Sequence, residues 1–220
     1  MMRSAVWAAV LITLVGVPAP TTTTAASKEP ATVRLSRDDL TLLIVFENGQ
    51  KLKLTSKGTK LAPGTHSVKS FRFLKKDEKN RTWELRSVSN LGGLTTITVA
   101  AGQEKLLDAG PPVGFLFWSR QGDGDQSNTV TTEVNAVGNY NEAYFPGAYC
   151  GGRKPPPPYF RAVSLDGRVL FAAQLGDRAD DRCRTVWRVP AGFKGQYKVE
   201  FRPVMGPFKW VAADKVFEIK

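Results

Sequence analysis

From Thr32 onward apolar and polar residues alternate with a period of two, the pattern of strands that bury one face. Tyr197, Val199 and Phe201 alternate with Lys198, Glu200 and Arg202. The same pattern recurs at Thr185, Trp187 and Val189, at Val113, Phe115 and Phe117, at Val130, Thr132 and Val134, and in the first half at Leu52 and Leu54, Trp83 and Leu85, Ile97 and Val99. No window of eleven residues carries a 3.6 period. Turn pairs punctuate the runs: Asn48-Gly49 and Asp166-Gly167 each supply the positive φ that a tight hairpin needs. About seven strands are predicted between residues 32 and 108. After the break at Ala109-Gly110-Pro111-Pro112, seven more are predicted at 113–118, 129–137, 159–165, 168–174, 183–189, 195–202 and 214–219. Short, regularly spaced strands predict an all-β fold of two tandem antiparallel β-sandwiches, residues 27–110 and 111–220. One larger sandwich is the alternative.

Two short phrases carry a family resemblance. Gly195-Gln196-Tyr197 follows a Pro-Ala-Gly corner and opens an alternating strand, and it resembles the tyrosine corner of immunoglobulin-like domains. The resemblance implies that the Tyr197 hydroxyl bonds back to nearby backbone across the turn. Two positions on stands Val199, where antibody domains carry a cysteine, so their inter-sheet disulfide is absent. Leu61-Ala62-Pro63-Gly64-Thr65-His66 is similar to the Pro-Gly corner of carboxypeptidase-regulatory-like (prealbumin-like) sandwiches, with His66 at the aromatic position. Both cues imply a fold type and leave function open.

The N-terminus adds an address. Arg3, an apolar run over residues 5–17 and a small-residue exit at Ala25-Ala26-Ser27 predict a secretory signal peptide, residues 1–26, cleaved near Ala26. The 13-residue run is shorter than the roughly 20 residues a spanning helix needs, so no transmembrane anchor is expected. The expected localisation is secreted, periplasmic or extracellular. An even pair of cysteines in such a compartment, Cys150 and Cys183, predicts a disulfide closing a loop of about 34 residues.

Charge and loops supply the remaining candidates. The formal net charge is +11, and losing Arg3 with the leader makes it +10, which favours an anionic partner or simple solubility. Six basic residues, Lys69, Arg72, Lys75, Lys76, Lys79 and Arg81, gather around a predicted hairpin and form the candidate polyanion patch. Asp123, Asp125 and Asn128 in a glycine-rich loop could collect a calcium ion, although the EF-hand spacing fails; a polar turn is the competing reading. Tyr140, Tyr144, Tyr149 and Tyr159 flank Gly151-Gly152 and the polyproline stretch Pro155-Pro156-Pro157-Pro158, and read either as a ligand face or as a plug at one end of the core. Asp177, Asp180 and Asp181 alternate with arginines, which reads as a solvated ion-pair loop more than as a glycosidase pair. With a single histidine, His66, no triad or zinc site assembles, and no cofactor is expected. The expectation is a non-catalytic binding or structural protein of the cell envelope or extracellular space. An anionic polymer or a cell-envelope glycan is its expected partner, and a polyanion- or carbohydrate-binding module or a carboxylate-dependent hydrolase are the alternatives.

Overall fold

The computed structural model describes residues 29–88, 91–174, 183–211 and 215–220. The predicted leader and the Asp177, Asp180 and Asp181 cluster lie outside the described residues. The first half forms β1 (Ala31–Leu35), β2 (Thr41–Phe46), β3 (Lys51–Leu54), β4 (Thr59–Leu61), β5 (Gly64–Lys76), β6 (Thr82–Arg86), β7 (Thr96–Val99) and β8 (Glu104–Leu107). The second half forms β9 (Val113–Gln121), β10 (Thr129–Val137), β11 (Ala143–Tyr144), β12 (Tyr149–Cys150), β13 (Tyr159–Ser164), β14 (Val169–Gln174), β15 (Cys183–Arg188), β16 (Gly195–Arg202), β17 (Trp210–Val211) and β18 (Lys215–Ile219). Helical structure among the described residues is confined to two short 3-10 turns. No helix among them is long and apolar enough to cross a membrane.

Four sheets result. β4-β1-β8 is a three-stranded sheet, with β1 parallel to β8. A six-stranded sheet runs β12-β6-β5-β2-β3, and β7 also pairs with β5. In the second half, β11-β10-β9-β17 form one sheet in which β15 also pairs with β10, and β14-β13-β16-β18 form the other. The period of two survives as alternating burial, clearest in β2 and β10. Both predicted hairpins form, with Gly49 at φ +83° and Gly167 at φ +90°. A Cβ at either glycine would sit on strained backbone.

The 21-residue segment between β10 and β13 is irregular in sequence, and it ties the two halves together. Its strand β12 leaves the second half and pairs with β6 of the first, Tyr149 opposite Glu84 and Cys150 opposite Trp83. Tyr144 bridges to Ser87 and packs edge-on against Phe71 (5.8 Å) and Phe73 (6.0 Å). The buried side chains of both halves form one continuous cluster.

This placement corrects the expected disulfide. Cys150 carries a free thiol on the edge of the first half's six-stranded sheet. The backbone of Cys183 pairs with Val134 in a different sheet, and its side chain lies outside the described residues.

The Tyr197 corner is also corrected. The tyrosine is buried, but its hydroxyl meets Ser119 Oγ on β9 across the interior rather than backbone beside the turn. Ser119 Oγ in turn lies 3.1 Å from Thr132 Oγ1, which accepts from Trp187 Nε1 at 3.3 Å. The Tyr197 ring stacks on Phe217 at 5.7 Å. Tyr197→Phe is therefore expected to cost about 0.5–1.5 kcal/mol in denaturant unfolding, one net hydrogen bond. The same change in a Ser119→Ala background should cost measurably less, because the two hydroxyls share that bond. Equal costs in both backgrounds would show that the hydroxyls act independently. At the other cued corner, His66 Nε2 donates to the Ala62 carbonyl at 2.8 Å while its ring packs on Phe46, which gives the lone histidine a structural role.

Candidate functional site

An open trough of about 1280 Å³ lies over the β9, β10 and β15 strands, with Val88 and Gly92 of the first half also lining it. Its floor follows from register. Direct cross-strand partners share a sheet face. Trp118 on β9 lies opposite Glu133 on β10, which lies opposite Arg184 on β15. One row along, Arg120 faces Thr131, and Thr131 faces Val186; one row the other way, Leu116 faces Asn135. The intervening residues Phe115, Phe117, Val130, Val134 and Trp187 point into the core. The face therefore holds a flat indole (Trp118, 48% exposed) beside the exposed Leu116, with the exposed Val186 two strands away on β15, set among guanidinium, carboxylate, hydroxyl and amide groups. Contiguous exposed apolar groups with convergent polar ones are the usual makings of a binding surface.

Glu142 is the functional-looking group that the alternation pattern could not reveal. Its side chain has no solvent exposure and accepts from the Gly110 amide at 2.5 Å, the Tyr140 amide at 2.7 Å and the Tyr144 hydroxyl. Burial pushes its carboxyl above the ordinary range, although those donors pull it down. A carboxylate with no exposed surface cannot meet a substrate. It instead pins the Ala109-Gly110 linker to the segment that follows β10.

The sequence-predicted sites disperse. Of the ligand-face tyrosines, Tyr144 is buried in the aromatic contacts described above. Tyr149 is half-buried beneath the Arg86 guanidinium, 3.9 Å from its ring centroid. Tyr140 and Tyr159 remain exposed on separate elements, Tyr159 opening β13 opposite Arg202. Tyr144 is a core residue, and the short β11 and β12 that carry Tyr144 and Tyr149 attach to different sheets.

The basic hairpin is split by the alternation of β5. Arg72 and Lys76 face solvent, whereas Lys75, an odd number of residues from each, falls on the opposite face and pairs with Asp39 at 2.6 Å. Lys76 donates to Asn80 Oδ1, and Arg81 pairs with Asp77 at 2.7 Å. Asp77 is held down at about 2, first by the Trp83 indole N–H and then by Arg81. Lys69 is exposed near the bulge in β5, and Lys79 sits in the turn. The six residues thus form no single patch.

The Asp123, Asp125 and Asn128 loop closes as a 3-10 turn at Gly124–Gln126, with the Gly122 amide donating to the Thr129 carbonyl. Asp123 turns to Arg120 at 3.1 Å. Among the described residues no group of three or more acidic, histidine or cysteine side chains comes together as a metal site.

No family model matches the chain, and no curated protein matches it. Among solved structures it is similar to the Bacillus anthracis TIE protein, at 13% identity over 87% of this chain, with a TM-score of 0.22. The chain spans 31% of the length of that structure.

Proposed function

We propose that the chain is an exported, non-catalytic binding protein of two tandem β-sandwiches whose ligand, a glycan chain, lies across the β9–β10–β15 face. One observation carries this reading: Trp118 stands exposed beside Leu116, in register with Glu133 and Arg184, on a sheet face that lines an open trough. A sugar ring presents an apolar C–H face and a rim of hydroxyls. A flat indole receives the first, and planar guanidinium, carboxylate and amide groups receive the second. The apolar leader at residues 5–17 supports export, and the sealed environment of Glu142 supports a structural rather than catalytic role for the acid that burial raises.

Affinity electrophoresis of the full chain against a panel of neutral and acidic polysaccharides tests the reading. Trp118→Ala is expected to weaken retardation about thirtyfold, a loss near 2 kcal/mol, as for an aromatic anchor at the centre of a site. The exposed Trp210 serves as a control. Equal retardation of wild type and Trp118→Ala on every retained polysaccharide, or retention of none, would remove the face from consideration.

A further inference from the structure

The outer face of the first half's six-stranded sheet carries a second surface, independent of Trp118. Register places Lys51 opposite Val45 and Lys53 opposite Leu43, and Leu43 opposite Arg72, which faces Arg86. With Lys76, this face holds five cations against one carboxylate, Glu84, a net of four positive charges among the strand positions. Glu84 lies between two of them, 2.9 Å from Arg86 and 3.5 Å from Arg72, and leaves both guanidinium groups partly exposed. The arrangement is a channel. β2 forms its floor with half-buried Thr41, Leu43 and Val45 and contributes no charge. Lys51 and Lys53 on β3 make one bank and Arg72 on β5 makes the other, with Arg86 one strand farther out on β6. The banks flank β2 at two strand spacings, roughly 10 Å apart, and the floor runs for about 13 Å.

We infer that this channel binds an acidic polysaccharide, a linear chain whose sugar rings lie on the aliphatic floor while their carboxylates or sulfates pair with the two banks. The chemistry favours this occupant over other polyanions. Tyr149, the aromatic nearest the channel, is capped by Arg86, so no open ring is offered for base stacking. Leu43 and Val45 are recessed between charged strands, so no apolar side chain stands out to enter a bilayer.

The test titrates the full chain with a linear polyuronate oligomer, a single-stranded DNA oligomer of equal charge and anionic phosphatidylglycerol vesicles. Polyuronate should bind tightest and lose about tenfold or more in affinity between 0.05 and 0.2 M salt, through counterion release. The double variant Lys51→Ala/Lys53→Ala should weaken polyuronate binding at least fivefold with an unchanged melting temperature, since both side chains are exposed. Lys79→Ala and Trp118→Ala should leave it unchanged, which separates this site from the β9–β10–β15 face. The inference is overturned by unchanged binding in the double variant, by tighter binding of DNA or vesicles, or by no salt-sensitive polyuronate binding.

Discussion

Tyr144→Ala is expected to destabilise the protein by about 3–5 kcal/mol, the cost of emptying a large aromatic site in a packed core. For a chain of this size the melting temperature should fall on the order of 10 °C in calorimetry. Tyr144 is 1% exposed, and its ring is received edge-on by Phe71 and Phe73, side chains of the first half. The residue itself belongs to the second half, on β11 paired to β10. The substitution therefore opens a cavity where the halves meet, and unfolding should separate into two transitions where the continuous core of the wild type is expected to give one. Tyr140→Ala, at an exposed neighbour, should stay within about 0.5 kcal/mol. A Tyr144→Ala loss below about 1 kcal/mol would show that the ring does not hold the halves together.

The second large effect belongs to Glu142. Glu142→Ala strands the amides of Gly110 and Tyr140 and the hydroxyl of Tyr144, each at about 1–3 kcal/mol when left buried and unpaired, so a loss of about 3 kcal/mol or more is expected. Glu142→Gln isolates the charge. Burial holds the folded carboxyl above its unfolded value, so the folded state binds the proton more tightly. The stability contributed by this group is fully present below the unfolded value and is lost as pH rises through the folded one. The advantage of wild type over Glu142→Gln should therefore shrink as pH rises from about 4.5 toward neutrality, followed by urea unfolding at each pH. Asp77 shifts in the opposite sense: its share is lost only as pH falls below the ordinary carboxylate value toward about 2, so the two windows do not overlap. An advantage that grows with pH would mean that the carboxylate form is the stabilising one.

The sequence by itself determined most of the longer strands and their faces. Alternation at Tyr197, Val199 and Phe201 and at Phe115 and Phe117 reappears as alternating burial, because a strand's side chains must leave the backbone on opposite sides. The hairpin glycines were legible because a positive φ is a local demand, met by the residue that occupies the site. The same local rule placed Leu116 and Trp118 outward. It could not show what their face meets, since that depends on which sheet packs where.

Tertiary structure decided everything that required a partner strand. No periodicity marks the segment between β10 and β13, whose strands are two residues long and whose order comes from Glu142, Tyr144 and pairing with β6. A buried glutamate looks like any other in a sequence until the amides that surround it are known. The basic residues make the same point. Position along the chain grouped Lys75 with Arg72, whereas register separated them to opposite faces and brought Lys51, Lys53 and Arg86 to Arg72 across β2 and β6. Side-chain direction is set within a few residues. Neighbours across a sheet are set by pairings, here between residues 6 to 29 apart in the chain, and those are chosen by burial summed over the whole core.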